Sequence, residues 1–162
     1  MNYTIRQMEE KDQDKVLKIY QDILNEEQVA LTSNINTWED WENLYLPHSR
    51  FVMENENDEL IGWAALSNTS PMPCFSGVAE TNIYVNKTYR EKGLGTMLLK
   101  KMVVDSEDQK IWTLQSQILE TNQASVALHK RLGFRTVGIR YNLAKINGNW
   151  RNITLMERHS ER

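Results

Sequence analysis

The sequence has few of the residues that cross-link small domains or hold metal ions. Cys74 is the only cysteine among 162 residues, which excludes an intramolecular disulfide framework. The three histidines, His48, His129 and His159, are scattered and show no spacing typical of a zinc site. We therefore expect no metal centre in this protein.

Long apolar runs and an excess of positive charge are also missing. The chain has no stretch of about 18 apolar residues, and its N-terminus has no apolar run of signal-peptide length. The 19 Lys and Arg residues against 22 Asp and Glu residues give a formal net charge of −3, which offers no general attraction to nucleic acid or anionic membrane. We expect a cytoplasmic protein that binds neither, with residues 1–162 forming one domain.

Hydrophobic periodicity predicts a mixed α/β fold with the order β-α-α-β-β-β-α-β-α-β-β. Val16, Ile19, Tyr20 and Ile23 recur at the spacing of an amphipathic helix. The other predicted helices begin at a capping box formed by Thr37 and Asp40, after the glycines 93 and 95, and at Asn122, the last ending near Leu132. The predicted strands are Tyr3–Arg6, Arg50–Glu54, Leu60–Leu66, Val78–Val85, Ile111–Leu119, Phe134–Leu143 and Ile153–Met156.

The strand Val78–Val85 carries a candidate catalytic group. Alternation places Glu80 on one face of this strand and predicts that the other face is the drier one, with the side chains of Ala79, Thr81, Ile83 and Val85. A carboxylate on a polar strand face can act as a general base, although most such glutamates are simply exposed to solvent. Pattern alone leaves both interpretations of Glu80 open.

The segment from Asn82 to Thr96 reads as strand, glycine turn and helix, an arrangement that favours an anion. Gly93 and Gly95 allow a tight turn and close approach of the main chain, and the first N–H groups of the helix are free to bind negative charge. Arg90 and Lys92 add positive charge at the same place. The alternative is a helix that merely starts with glycines.

Two common phosphate motifs do not match this turn. A dinucleotide fingerprint needs a third glycine where the chain has Leu98, and a P-loop needs a Gly-Lys-Ser/Thr sequence that is absent. The glycine turn therefore supports neither NAD nor ATP.

A second motif lies about thirty residues later and identifies a family. Arg90-x-x-Gly93-x-Gly95, followed by the helix from Asn122 to Leu128-His129 and by Leu132-Gly133-Phe134, resembles the GNAT superfamily of N-acetyltransferases. The resemblance implies a mostly antiparallel sheet of about seven strands with about four flanking helices. It also implies acetyl-CoA as co-substrate, a small-molecule amine as acceptor, and a homodimer.

Within that superfamily, the chain is closer to the phosphinothricin and methionine sulfone or sulfoximine acetyltransferases. Ala79-Glu80-Thr81-Asn82-Ile83-Tyr84-Val85 is similar to the Val-Glu-x-Ser-Val-Tyr-Val of that group, and His129 keeps its histidine. Members commonly carry arginines in the preceding loop that suit a substrate carboxylate, yet this chain has Ser76 there and no Lys or Arg between Arg50 and Lys87. An amino-acid substrate would need another cation.

The resemblance implies a role for each candidate residue. Glu80 would take a proton from the amine, and His129 would protonate the leaving thiolate unless it is only a packing residue. Asn122 would contact pantetheine unless it is only a helix cap. The residues implied to bind acetyl-CoA are Ile83, Tyr84, Val85, Arg90, Glu91, Lys92, Gly93, Leu94, Gly95, Thr96 and Asn122, with a backbone N–H of residues 83–85 donating to the acyl oxygen.

The acceptor site is less defined by the sequence. We expect substrate contacts from Trp38, Phe75 and Ser76, although the aromatic stripe of Trp38, Trp41 and Tyr45 also suits core packing. Cys74 has no catalytic signature, which favours direct acetyl transfer over an acetyl-enzyme. The predicted activity is acetylation of an amino acid of the phosphinothricin or methionine sulfone type. The alternatives are acetylation of a cationic or neutral amine, or a non-catalytic CoA-binding regulatory module.

Overall fold

The computed structural model describes residues 2–24, 35–90 and 92–161 and shows one seven-stranded sheet with helices on both faces. The strands are β1 (Thr4–Gln7), β2 (Phe51–Glu54), β3 (Leu60–Asn68), β4 (Val78–Val85), β5 (Thr113–Leu119), β6 (Arg135–Ile146) and β7 (Asn149–His159). The helices are α1 (Gln13–Leu24), α2 (Trp38–Leu44), α3 (Leu94–Asp108) and α4 (Gln123–Arg131). The predicted element order and the mixed α/β class are confirmed.

The sheet has the order β1-β2-β3-β4-β5-β7-β6, and every neighbouring pair is antiparallel except β4 and β5. The antiparallel pairs are joined by hairpins or by longer connections. The parallel pair of β4 and β5 requires a crossover connection, and α3 provides it. The single parallel pair therefore lies at the centre of an otherwise antiparallel sheet.

Each face of the sheet has its own hydrophobic core. One core joins α3 and α4 to the sheet through residues such as Leu98, Met102 and Val126. The other joins α1 and α2 to the opposite face, and the predicted stripe of α1 is buried there. The apolar residues that recur at helical spacing in the sequence are therefore the residues that α1 buries.

The prediction of one drier face on β4 is wrong. Asn82 and Tyr84, on the face expected to be polar, are only 7% and 5% exposed, whereas Ile83 and Val85 on the other face are half-buried. Tyr84 packs edge-on against Tyr20 of α1 and beside Trp63 of β3. Because helices cover both faces of a central strand, alternation alone could not distinguish them.

The last two strands are longer than predicted. The sequence predicted Phe134–Leu143 and Ile153–Met156, but the paired strands run from Arg135 to Ile146 and from Asn149 to His159. Asn147 and Gly148 join them with φ angles of 49° and 79°, the backbone that a two-residue hairpin turn requires. Residues 149–152 have Trp150 as their one apolar member and so show no apolar pattern, but they extend β7 through pairing with β6.

Candidate functional site

The two central strands separate after three residue pairs and leave an opening in the sheet. β4 and β5 pair only where Val78, Ala79 and Glu80 face residues 113–115, although both strands continue for four or more residues beyond. The hydroxyls of Thr81 and Ser116 hydrogen-bond just after the last pair. Beyond this point, each strand turns its unpaired edge towards two clefts.

The hydrogen-bond pattern of β4 identifies which backbone groups face the opening. Asn86 donates its N–H to Ile61 of β3, and Tyr84 pairs with Trp63 in the same antiparallel register. Because backbone groups alternate in direction along a strand, the N–H groups of Ile83 and Val85 face away from β3. Those two groups, rather than that of Tyr84, are therefore the donors directed towards the opening.

The first cleft, which we call the Glu80 cleft, has a volume of about 340 Å³ and lies between the diverging strands. Glu80 Oε1 accepts hydrogen bonds from Gln115 Nε2 at 3.0 Å and from Gln117 Nε2 at 2.8 Å. Apolar side chains of Leu143, Ala144 and others form part of its wall. Among the described residues that line this cleft, Glu80 is the only one with a formal charge at neutral pH.

The second cleft, the glycine-turn cleft, has a volume of about 810 Å³ and lies at the N-terminus of α3. The first intrahelical bond runs from Met97 N to Gly93 O, which leaves the N–H groups of residues 94–96 without an intrahelical acceptor. Arg90 and Arg131 are the charged side chains among the described residues of its lining. This combination of free amides, helix dipole and guanidinium groups favours a polyanion.

The glycines of this turn leave room for a ligand. Gly93 has φ +77°, a left-handed conformation that glycine adopts without strain. A Cβ at Gly95 would have Leu128 Cδ1 as its nearest neighbour, at 3.5 Å. Arg90 Nε donates to Val85 O at 3.2 Å and ties the turn to the end of β4. The residues present fit a pyrophosphate such as that of coenzyme A.

The two clefts share a boundary formed by Ile83, Asn122, Ser125 and His129. Asn122 is the N-cap of α4, because its Oδ1 accepts from Ser125 N at 3.2 Å. This capping bond uses the amide oxygen, so the Nδ2 group can donate elsewhere. The capping role considered for Asn122 is therefore real, and it leaves room for a second one.

His129 is buried, with 6% exposure, and packs edge-on against Phe134. Its Nδ1 lies 2.7 Å from Ser125 O, and since a carbonyl can only accept, Nδ1 carries the hydrogen. Burial lowers the pKa of His129 below its ordinary value, against the opposing effect of the Ser125 hydrogen bond. At neutral pH the imidazole is thus neutral, with Nε2 as an acceptor.

Four of the other predicted residues, Trp38, Phe75, Ser76 and Lys92, do not line either cleft. Trp38 stacks on Trp41 at 4.4 Å and belongs to the α1 and α2 core, while Phe75 and Ser76 are exposed between β3 and β4. Lys92 lies over the ring of Tyr89, and Glu91 is outside the described residues. The binding roles of all five residues stay predictions.

Four polar or charged residues of the site were not predicted from the sequence. Gln115 and Gln117 donate hydrogen bonds to Glu80, and Arg131 lines the glycine-turn cleft. The backbone of Ser125 hydrogen-bonds to the side chains of both Asn122 and His129. The two glutamines alternate with the buried Leu114, Ser116 and Ile118 of β5, which marks them as one face of the strand. That pattern was the available signal, but their proximity to Glu80 depends on the β4–β5 register.

Comparison with known proteins identifies the family. The family model described as acetyltransferase (GNAT) family matches residues 14–134. The chain belongs to the acetyltransferase (GNAT) family. This GNAT protein is an N-acetyltransferase, which agrees with the predicted enzyme class rather than with a non-catalytic module.

Three proteins similar to this GNAT chain narrow the comparison. It is 30% identical to an L-methionine sulfoximine/L-methionine sulfone acetyltransferase of Pseudomonas aeruginosa, over 97% of this chain and 94% of that protein. It is 27% identical to a phosphinothricin N-acetyltransferase of Streptomyces coelicolor, over 67% of this chain and 64% of that protein. A phosphinothricin acetyltransferase of Sinorhizobium meliloti, solved with acetyl-CoA, shares the fold with a TM-score of 0.88 at 22% identity, covering 98% and 89% of the two chains.

Proposed function

We propose that this protein transfers an acetyl group from acetyl-CoA to the primary amine of a small molecule at the opening between β4 and β5. The observation that carries the proposal is the meeting of two clefts of opposite charge. The glycine-turn cleft offers two arginines and a free helix N-terminus, and the Glu80 cleft offers a single carboxylate. An anionic co-substrate and a protonated amine are the natural occupants of such a pair.

The glycine-turn cleft would hold the pyrophosphate of acetyl-CoA. The N–H groups of Leu94, Gly95 and Thr96 would bind phosphate oxygens, with Arg90 and Arg131 adding charge. The Nδ2 group of Asn122 would donate to the pantetheine arm, since its Oδ1 already caps α4. Acetyl-CoA supplies an activated thioester.

Glu80 would prepare the acceptor amine. A primary amine is mostly protonated at neutral pH and becomes a nucleophile only after it loses a proton. Glu80 is half-buried and lies where the strands separate. Its Oε1 accepts hydrogen bonds from Gln115 and Gln117, and no described residue donates a hydrogen bond to its second oxygen. That second oxygen would accept the proton, directly or through a water.

Two further groups would act on the reacting acyl group. The N–H groups of Ile83 and Val85 face the opening, so either would stabilise negative charge that develops on the acyl oxygen. His129 remains the candidate acid for the thiolate, but its Nε2 must first gain a proton, which burial opposes. We therefore assign His129 a smaller share of the catalysis than Glu80.

The leading acceptor is an amino acid of the methionine sulfone or phosphinothricin type. The names of the relatives in Pseudomonas aeruginosa and Streptomyces coelicolor support this class. The second candidate is a cationic or neutral amine without a carboxylate. It is favoured by the Glu80 cleft, whose described lining holds no cation to pair with a substrate carboxylate.

The experiment is the release of CoA thiol from acetyl-CoA in the presence of matched amines. L-Methionine sulfone is compared with 3-(methylsulfonyl)propylamine, which has the same sulfone without the carboxylate, and with L-phosphinothricin, a polyamine and an aminoglycoside. Faster turnover of the two amino acids supports the leading candidate and requires a cation outside the described lining. Faster turnover of the amines without a carboxylate supports the second candidate. If none of the amines causes release of CoA thiol, the proposed function is contradicted.

We also propose that the protein is a single-domain, cytoplasmic homodimer. In the part of the chain that the structure describes, no helix is long and apolar enough to cross a membrane. β6 is an edge strand, and Val137, Ile139 and Tyr141 on it are 44%, 40% and 73% exposed. A long apolar edge strand favours association, and a second copy of this chain is the partner we assign to it.

A further inference from the structure

We propose that Gln115 and Gln117 are positioning residues that hold the Glu80 carboxylate so that only Oε2 is available to the acceptor amine. This inference rests on the proposed role of Glu80 as the base. It assigns a function to two residues of β5 that belong to none of the motifs described above. Its evidence is the hydrogen-bond geometry at the point where β4 and β5 separate.

The two glutamines reach Glu80 from the neighbouring parallel strand. Gln115 lies directly beside Glu80 in the β4–β5 register, and Gln117 follows two residues later on the same face. Their Nε2 atoms lie 3.0 and 2.8 Å from the same carboxylate oxygen, Oε1. Gln117 lies beyond the last paired residue, so its side chain bridges the opening that the diverging strands leave.

The chemistry of the groups fixes the direction of these hydrogen bonds. An ionised carboxylate only accepts, so each amide must present its NH₂ group rather than its oxygen. Two donors on Oε1 limit that atom's capacity to take up a proton from a substrate. Among the described residues, the hydrogen bonds to the Glu80 carboxylate are those that Gln115 and Gln117 donate to Oε1, which leaves Oε2 as the atom that would receive the proton.

Orientation matters because a glutamate side chain has three rotatable bonds. Without the two amides, the carboxylate of a half-buried Glu80 would sample several rotamers, and only some direct an oxygen to the amine. Displacement of a reacting group by about 1 Å can cost a hundredfold in rate. Gln115 and Gln117 therefore act on catalysis through Glu80 and need no contact with the substrate.

The test is a double-mutant cycle that separates positioning from general structure. Gln115→Met and Gln117→Met keep the length of the side chain but remove its donors, and each is made in the wild type and in Glu80→Gln. Turnover is measured at saturating acetyl-CoA, with acetyl-CoA affinity and Tm as parallel readouts. The matched control is Gln109→Met, at an exposed position after α3.

We expect each methionine variant to lower kcat by about 5- to 50-fold in the wild type and by less than about twofold in Glu80→Gln. Acetyl-CoA affinity and Tm should stay near those of Gln109→Met. Equal losses in both backgrounds, or no loss in the wild type while Glu80→Gln is impaired, would overturn the positioning role alone. Full activity of Glu80→Gln would instead remove the proposed base and this inference together.

Discussion

At the scale of single residues, His129 shows how burial selects one protonation state. Its Nδ1–H is committed to Ser125 O, and its pKa is lowered because the protein displaces water from the ring. The folded protein therefore binds a proton at this site less readily than the unfolded chain does. The pKa of His48 is lowered too, mainly by burial, although Asp105 opposes the effect.

This difference predicts a loss of stability in mild acid. As the pH falls below the ordinary histidine range, the unfolded chain takes up protons that the folded protein excludes, so the free energy of unfolding decreases. We expect His129→Gln to lose less stability than the wild type between pH 7.5 and pH 5.5, measured by urea denaturation. His159→Gln, at an exposed site, is the control. A wild-type pH dependence in His129→Gln would refute the burial argument.

The site residues could be predicted from the sequence only where a motif fixed them. Glu80, the glycine turn, Asn122 and His129 were identified, and the structure brings all of them to the two adjoining clefts. Gln115 and Gln117 were not, because a glutamine on a strand carries no chemical signature until its neighbour is known. Trp38 was predicted to contact the substrate; it stacks on Trp41 at the edge of the α1 and α2 core, and its binding role stays a prediction.

At the scale of elements, a negative charge at the N-terminus of α3 would affect helix stability and ligand binding in opposite directions. A carboxylate at Gly95 would stabilise the helix through its dipole but would repel a pyrophosphate. The position tolerates a Cβ, since its nearest neighbour is Leu128 Cδ1 at 3.5 Å and its backbone is not left-handed.

We therefore predict that Gly95→Asp lowers acetyl-CoA affinity by about tenfold or more while Tm is unchanged or higher. The asparagine side chain in Gly95→Asn has nearly the same shape as aspartate but no charge, so this variant should bind acetyl-CoA much more tightly than Gly95→Asp. Isothermal titration calorimetry at two salt concentrations checks this, because salt screens the charge and should reduce the difference in acetyl-CoA affinity between the two variants. Equal affinities for the two variants would place the phosphates elsewhere.

The elements themselves were predicted well where periodicity or capping is strong. Thr37 and Asp40 form the predicted capping box of α2, each side chain accepting from the other's backbone N–H. The ends of β6 and β7 were missed because Asn149–Asn152 are held by pairing and by Asn152 contacts with Glu120 and Asn142, not by an apolar pattern. Hydrogen bonds between distant segments leave no periodic signal in the chain.

At the scale of the whole molecule, the exposed edge strand predicts association. β6 ends the sheet and presents apolar side chains that no other described element covers. We expect sedimentation equilibrium to show a dimer, and Ile139→Lys to shift it towards monomer, because a charge at an edge opposes strand pairing. Lys130→Glu, on the exposed part of α4, is a control that should leave the dimer intact. A monomeric wild type would contradict the assignment.

Charge is divided between the two clefts of the site. Glu80 alone supplies charge to the described lining of one cleft, and arginines supply it to the other. If this division serves acetyl transfer, removal of the Glu80 carboxylate must stop proton transfer without disturbing the co-substrate. The two effects can be measured separately in one variant.

The most direct measurement is therefore kcat of Glu80→Gln at saturating acetyl-CoA, with acetyl-CoA affinity measured on the same preparation and the exposed Glu59→Gln as control. We predict that Glu80→Gln loses about a hundredfold or more in kcat at unchanged acetyl-CoA affinity, while Glu59→Gln behaves as wild type. Turnover of Glu80→Gln equal to that of the wild type would contradict the role of Glu80 as the base.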